Sequence, residues 1–185
     1  MSFEIKVIIF IVATQGFVWL SWSSLRNFRS HGFYRFFVFE GFSALILLNL
    51  NYWFYEPLSL RQILSWLLLV VSMFMVVHGF LLLRSMGKPD NARTDPSLIG
   101  IEKTTRLVTE GAYRYVRHPI YSSVLYVSLG VFLKHPSLIC ILLVVITIFF
   151  LTMTAKIEEA ENVRFFGAEY EHYMKRTKMF VPGVF

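Results

Sequence analysis

Two clusters of polar side chains in this chain have residue types that could do chemistry. The first runs from Leu107 to Tyr121, reads L-V-T-E-G-A-Y-R-Y-V-R-H-P-I-Y and combines arginine, histidine and tyrosine. Arginine can bind a carboxylate or phosphate through paired hydrogen bonds, and tyrosine and histidine add hydrogen bonds and flat faces for a ring. Pro119 suits the first turn of a helix, whose free N–H groups can face an anion. A ligand site is one interpretation, and a set of anchors at the membrane surface is the other.

The second cluster is the acidic run Glu158, Glu159 and Glu161, which directly follows an apolar segment. Acidic residues on a basic membrane face oppose the charge bias there and repel anionic headgroups. Solvent exposure is enough to explain Glu161, but the adjacent pair indicates a cationic partner. That partner is either an arginine of the first cluster, Arg114 or Arg117, or a bound ligand, and the residues leave both open.

Several familiar sites are excluded by the sequence. The glycines never occur as G-x-G, so the dinucleotide fingerprint is missing, and there is no P-loop, H-E-x-x-H or G-x-S-x-G. The five histidines are scattered along the chain, which predicts no metal site. A single cysteine, Cys140, cannot form an internal disulfide and is interpreted as a small apolar residue.

The elements that must position these clusters are long apolar helices. The chain is 56% hydrophobic and 16% charged, whereas soluble domains are roughly 25% charged. Unbroken apolar runs favour helices over a barrel. We therefore predict an all-α integral membrane bundle of five transmembrane helices in one domain, residues 1–185. The spans are predicted at 5–25, 33–52, 63–83, 120–133 and 138–154, and the fourth is marginal in length.

The segments between and after the spans hold most of the positive charge. Of 18 Lys and Arg residues, three lie in 26–35, seven in 84–117 and five in 156–185. The other three are Lys6, Arg61 and Lys134. The positive-inside rule then places the N-terminus outside and both the 84–117 loop and the C-terminus in the cytosol. The net charge of +6 is thus explained by membrane topology, and no nucleic-acid partner is predicted.

The tail 156–185 has apolar residues at helical spacing, and Gly167 is expected to interrupt it. A helix lying in the headgroup layer with its aromatic side in the membrane accounts for this amphipathic pattern. The residues that recur at intervals of three and four are Ile157, Ala160, Val163, Phe166, Tyr170 and Tyr173.

Two ionisable residues lie inside predicted spans, Glu40 and His78. Such residues are candidates for function. We expect structural roles for both, with His78 hydrogen-bonding across helices to Asn49 or Asn51.

The two clusters together resemble the membrane methyltransferases typified by isoprenylcysteine carboxyl methyltransferase, and more loosely the phospholipid N-methyltransferases. The shared pattern is G-x-Y-x-x-x-R-H-P-x-Y, a pair of spans, and then E-E followed by F-G-x-x-Y-x-x-Y. It covers about residues 98–182. The matching positions are Gly111, Tyr113, Arg117, His118, Pro119, Tyr121, Glu158, Glu159, Phe166, Gly167, Tyr170 and Tyr173.

The resemblance implies a cytosolic pocket for S-adenosylmethionine, with S-adenosylhomocysteine as product. It places Glu158 against the ammonium group of the cofactor and gives backbone contacts to the stretch 105–108. Methyl transfer is a single displacement that needs no protein nucleophile, so no catalytic residue is predicted. The implied cofactor-binding residues are Thr105, Arg106, Leu107, Val108, Tyr113, Arg117, His118, Pro119, Ile120, Tyr121, Glu158 and Glu159.

Two departures from the family pattern leave the methyl acceptor open. The carboxyl methyltransferases place an arginine, assigned to the substrate carboxylate, where this chain has Thr154, and many members have glycine where it has Ser123. We expect a lipophilic acceptor that arrives through the bilayer, either a prenylcysteine-like carboxylate or a lipid headgroup. An amine acceptor would require His118, Glu158 or Glu159 to take up a proton.

Two alternatives remain at this point. Membrane sterol and isoprenoid reductases share a related R-H-P-type half and bind NADPH, although they are usually about twice as long. A non-catalytic membrane protein whose polar loop is only an anchor is the other. The oligomeric state is not predicted.

Overall fold

The structure is a computed structural model that describes residues 1–88, 90 and 103–184. Within these residues the backbone is helical apart from turns, loops and one isolated parallel β-bridge between Val116 and Lys178. Among the described residues, two 3₁₀ turns, Leu50–Tyr52 and Gly111–Arg114, accompany the α-helices. The α-helices are α1 Phe3–Leu25, α2 His31–Asn49, α3 Leu60–Met86, α4 Pro119–Phe132, α5 Leu138–Phe166 and α6 Ala168–Arg176.

Four helices of the described chain are long and apolar enough to cross a bilayer: α1, α2 with the 3₁₀ turn after it, α3 and α5. The predicted all-α fold is therefore confirmed, with four of the five predicted spans matched by a helix of span length. The predicted fourth span corresponds to α4, which has 14 residues and is about 21 Å long at 1.5 Å per residue. A full span needs about 20 residues, so α4 is shorter than the apolar layer.

Helix packing gives a bundle in which α1 lies against α2, α2 against α5, and α4 between α3 and α5. Two serines of α3 join it to α4: the Oγ of Ser65 donates to the carbonyl oxygen of Gly130 at 2.6 Å, and that of Ser72 to Ser123 at 2.8 Å. Hydrogen bonds between helices satisfy polar groups that lipid cannot. They hold α4 at a fixed level along α3.

Contacts between helices show which residues share an end of the bundle. At one end, His31 at the start of α2 contacts Glu161 near the end of α5, with 2.6 Å between Nδ1 and Oε2. At the other end, the Nζ of Lys134 donates to the Oε1 of Gln62 at 3.0 Å, and Lys6 to the carbonyl oxygen of Leu48 at 3.3 Å. The described basic residues before α2, at the end of α3 and beyond the apolar part of α5 therefore share one end with both polar clusters.

The last long helix differs from its predicted bounds. A span was expected to end at 154 and a separate tail helix to begin at 156, but α5 continues without a break to Phe166. Gly167 then ends it with φ +62°, a left-handed conformation that glycine adopts without steric cost. As predicted, Gly167 interrupts the tail. About three turns of α5 thus carry its acidic residues beyond the apolar part of the helix.

Candidate active site at the polar end of the bundle

The chain that follows α3 turns back onto the end of that helix. The carbonyl oxygen of Gly87 accepts hydrogen bonds from the backbone N–H groups of Thr105 at 3.0 Å and Arg106 at 3.1 Å. This turn places Val108 in a buried position beside the bundle. Most of the loop between, residues 89 and 91–102, lies outside the described residues, including part of the predicted 84–119 loop.

The C-terminal tail closes over the first polar cluster through backbone hydrogen bonds. Lys178 donates its N–H to the carbonyl oxygen of Tyr115 at 3.1 Å and accepts from the N–H of Arg117 at 2.8 Å. The hydroxyl of Tyr173 on α6 donates to the carbonyl oxygen of Tyr113 at 2.6 Å. Segments more than fifty residues apart are thereby joined into one wall.

Glu159 is the counter-ion of the first cluster. Its Oε1 accepts from the Nε of Arg117 at 2.5 Å and lies 3.2 Å from the Nε2 of His118. Arg117 also donates through Nη1 to the carbonyl oxygens of Thr177 and Met174, at 2.5 and 3.2 Å. For Glu159 the cationic partner is therefore Arg117, one of the two alternatives left open by the sequence. A buried pair of this kind fixes both side chains, since removing either leaves an uncompensated charge.

Glu158, its neighbour, faces a different environment. Its Oε2 accepts from the hydroxyl of Tyr121 at 2.5 Å, and its Oε1 lies 4.0 Å from the Nδ1 of His118. The side chain is 17% exposed and lines a cavity. Two adjacent glutamates thus have separate roles: Glu159 is bound within the wall, and Glu158 presents a carboxylate to the interior.

The cavity contains about 640 Å³ of empty space, including its open mouth. Eight residues expected at the cofactor line it: Leu107, Val108, Tyr113, Arg117, His118, Ile120, Tyr121 and Glu158. Thr105, Arg106, Pro119 and Glu159 were also expected there, but they lie outside its lining.

Six further residues of the lining were not predicted as cofactor contacts. Leu83 belongs to α3 and Thr104 to the returning loop, and the others come from α5 and α6. Asn162 and Phe166 follow Glu158 at intervals of four, so they lie on the same face of α5. That spacing was a usable signal, but a span ending at 154 concealed it. The six are Leu83, Thr104, Asn162, Phe166, Tyr170 and Tyr173.

The aromatic side of α6 faces the cavity. Tyr170 and Tyr173 are 2% and 3% exposed, whereas the headgroup interpretation placed this side in the membrane. Burial raises the pKa of both hydroxyls above their usual value of 10.0. They stay protonated at neutral pH and can donate hydrogen bonds. The lining therefore combines one carboxylate, neutral tyrosine hydroxyls and flat aromatic faces.

The other ionisable residues singled out in the spans lie away from this cavity. The Oγ1 of Thr14 donates to the Oε2 of Glu40 at 2.8 Å, which joins α1 to α2. The ring of His78 stacks on Phe74 one turn earlier in α3, with centroids 5.3 Å apart. Its expected partner Asn49 instead donates to the Sγ of Cys140 at 3.3 Å.

Among the described residues, apolar helices of span length surround a cavity at the polar end of the bundle, as expected of an integral membrane protein. The family comparison agrees with that class and specifies it. A model described as phospholipid methyltransferase matches residues 60–169, which is more than half of the chain. The chain belongs to this family.

Curated relatives match a shorter part of the chain. It is 36% identical over 77 residues to a protein-S-isoprenylcysteine O-methyltransferase of Schizosaccharomyces pombe, covering 41% of the chain and 33% of that protein. The corresponding mouse protein is 37% identical over 83 residues, covering 44% and 29%. Protein-S-isoprenylcysteine O-methyltransferase B of Arabidopsis thaliana is 39% identical over 85 residues, covering 45% and 43%. The chain thus matches less than half the length of these relatives. No solved structure shows a significant match.

Proposed function

We propose that this protein is an integral membrane methyltransferase that uses S-adenosylmethionine to methylate a lipophilic acceptor. The observation that supports the proposal most is the position of Glu158. Its carboxylate is oriented by the hydroxyl of Tyr121 and lines an otherwise largely aromatic and apolar cavity. Membership of the phospholipid methyltransferase family supports the same chemistry.

The residues of the cavity fit this cofactor by their chemistry. Glu158 can pair with the ammonium group, since a carboxylate is the natural partner of a cation in a partly buried site. The rings of Tyr113, Phe166 and Tyr170 offer faces for adenine. Asn162, on the same face of α5 as Glu158, adds an amide group to the lining of the cavity.

The other predicted cofactor contacts are proposed to have two kinds of role, lining the cavity or positioning other residues. Leu107, Val108, His118, Ile120 and Tyr121 complete the wall. Arg117 lines the cavity, but its guanidinium donates hydrogen bonds to Glu159 and to carbonyl oxygens of the tail. Arg117 and Glu159 are therefore positioning residues, which keep His118 and the tail in place.

When bound, the cofactor supplies an electrophilic methyl group. The protein contributes alignment and the exclusion of water, which together account for much of the rate in such transfers. The bonds from the tail to Tyr115 and Arg117 hold that enclosure together. A carboxylate acceptor needs no base, and for an amine acceptor Glu158 is the described carboxylate nearest the interior.

The acceptor is proposed to be a prenylcysteine-like carboxylate or a lipid headgroup. The curated relatives are named for isoprenylcysteine, which favours the first. Thr154 is buried, and its Oγ1 donates to the carbonyl oxygen of Phe150 at 2.8 Å, so this position supplies no charge for a carboxylate. The lipid headgroup therefore stays in the proposal.

We propose the membrane topology from the distribution of Lys and Arg residues along the chain. Five crossings, with α4 as a short one, put the N-terminus outside and the basic end with its cavity in the cytosol. A reporter that is active only in the cytosol, fused after residue 185, should be active, and the same reporter before residue 1 should not. The reverse pattern would refute the orientation.

Isothermal titration of the detergent-solubilised protein tests the cofactor. S-adenosylhomocysteine should bind and NADPH should not. Binding of NADPH alone would favour a reductase, and binding of neither would favour a non-catalytic membrane protein. Transfer of a labelled methyl group into farnesylcysteine or into a host lipid extract, with the product identified by mass, then distinguishes the acceptors.

A further inference from the structure

A second groove lies on the other side of the 3₁₀ turn Gly111–Arg114. It contains about 710 Å³ of empty space, including its open side. Tyr113 of that turn lines the first cavity, whereas its neighbours Ala112 and Arg114 line this groove. The turn therefore separates the cofactor cavity from this groove. The cofactor proposed for the cavity would not fill the groove. The groove is lined by Phe74, Met75, His78, Gly111, Ala112, Arg114, Tyr115, Val116 and Pro182.

The lower part of this groove is a lipid-facing surface of α3. Phe74 is 61% exposed, and its neighbours Met73 and Val77 are 63% and 48% exposed. These residues belong to a helix of span length, so the medium that covers them is hydrocarbon. The floor of the groove is thus continuous with the surface on which lipid chains pack.

The upper part is polar and basic. Arg114 and Tyr115 are exposed at the polar end of the bundle, and His78 lies below them, stacked on Phe74. Among the residues that the structure describes, no carboxylate pairs with Arg114. Arg117, three residues later, is by contrast neutralised by Glu159 at 2.5 Å. The groove therefore has an apolar floor and a cationic, hydroxyl-bearing rim.

The apolar floor and the cationic rim together are complementary to an amphiphile with an apolar chain and an anionic head. A chain on Phe74 and Met75 leads at headgroup level to an arginine, which binds phosphate oxygens through paired hydrogen bonds. Basic side chains at the membrane surface attract anionic lipids. Tyrosine at this level adds a hydroxyl donor with an apolar ring.

We propose that the groove between α3 and the turn Gly111–Arg114 is a binding site for an anionic phospholipid, with an acyl chain on Phe74 and the phosphate at Arg114. A lipid bound there would pack against the side of the turn that faces away from the cofactor cavity. The site is distinct from the cofactor cavity, and it rests only on the membrane location of α3.

Native mass spectrometry of the protein released from nanodiscs tests whether the site prefers an anionic lipid to a zwitterionic one. With equal amounts of phosphatidylglycerol and phosphatidylcholine, the unaltered protein should retain the anionic lipid preferentially. Arg114→Gln should reduce that preference about fivefold, the effect of one basic side chain. The matched control is Arg84→Gln, since Arg84 is exposed near the same end of α3 and lines neither space. Equal loss in both variants, or no loss in Arg114→Gln, would overturn the proposal.

A second measurement uses the unaltered chain and so does not depend on the folding of a variant. Phosphatidylglycerol carrying a photoreactive group in its acyl chain should label the peptide that contains Phe74 and Met75. The phosphatidylcholine analogue should label it less. Equal labelling by the two lipids at this peptide would count against a specific anionic site.

Discussion

The Nδ1 of His118 lies 4.0 Å from the Oε1 of Glu158, although α4 and most of α5 separate the two residues in the chain. His118 precedes the first turn of α4, and Glu158 lies in the last third of α5. The two helices form a hairpin whose open end carries both clusters. The contact brings the carboxylate to the same side of the cavity as the R-H-P segment.

Replacing Glu158 with glutamine should weaken cofactor binding while leaving the fold intact. The side chain faces the cavity, and glutamine keeps its shape but not its charge. Loss of one charge-assisted contact should lower the affinity for S-adenosylhomocysteine about tenfold or more, measured by isothermal titration. Glu169→Gln, an exposed change on α6, is the control. Unchanged affinity in Glu158→Gln would contradict the proposed role.

The adjacent change Glu159→Gln should act on stability first. It leaves Arg117 buried without its counter-ion, a loss that typically costs about 3 kcal/mol or more. Thermal unfolding in detergent should show a much lower midpoint than Glu158→Gln, although the two variants remove the same charge from neighbouring positions. Equal midpoints would show that the wall does not depend on this ion pair.

Tyr173→Phe should reduce the sensitivity of the fold to alkali. Burial raises the pKa of Tyr173 above 10.0, so the unfolded chain releases its proton first and stability falls as pH rises through about 10. One tyrosine contributes about 1.4 kcal/mol per pH unit in that range. The variant should lose this slope, and at neutral pH it should lose about 1 kcal/mol for the missing bond to Tyr113. Unfolding midpoints of both proteins between pH 8 and 11.5 measure the pH slope and the loss at neutral pH. If the midpoints of the variant and the unaltered protein fall in parallel as pH rises, the predicted change in slope is refuted.

Gly111→Ala should destabilise the partition between the two spaces. Gly111 has φ +58°, and a Cβ there would lie 2.6 Å from the Nε2 of His78 and 2.7 Å from the Cδ1 of Leu82. Backbone strain of about 1–2 kcal/mol then adds to a steric cost of about 1 kcal/mol, because the atoms in the way are the ends of two side chains that must turn aside. Gly183→Ala carries the strain alone, because Gly183 has φ +76° and open space around it. Chemical or thermal unfolding should show Gly111→Ala to be less stable than Gly183→Ala, and similar values would exclude the steric part.

The class of fold, and the end of the bundle at which the candidate cavity lies, were predictable because membrane physics restricts both. Hydropathy gives the long helices, and the bias of Lys and Arg assigns both polar clusters to one end. His31 contacting Glu161 at that end agrees with this assignment. The motif then supplied most of the cavity, including Tyr113, His118 and Glu158.

The remaining parts depend on information that hydropathy lacks. The end of the apolar run at residue 154 does not end the helix, because α5 gains backbone hydrogen bonds until Gly167 stops it. Asn162 was missed for that reason. An amphipathic pattern also does not say what covers its apolar side, so Tyr170 and Tyr173 were interpreted as membrane-facing when α6 packs them against the loop. The choice between Arg117 and a ligand as partner of Glu159 likewise required the packed tail.

The shortness of α4 has a further consequence for substrate handling. Since α4 begins at Pro119 and is held beside α3 by Ser72 and Ser123, His118 and Tyr121 lie deeper than the ends of the longer helices α3 and α5. Under the proposed function, the reaction site is recessed toward the hydrocarbon. An amphiphile would then reach it by sinking its head slightly, without its tail ever being drawn into water, so no extraction step would limit turnover.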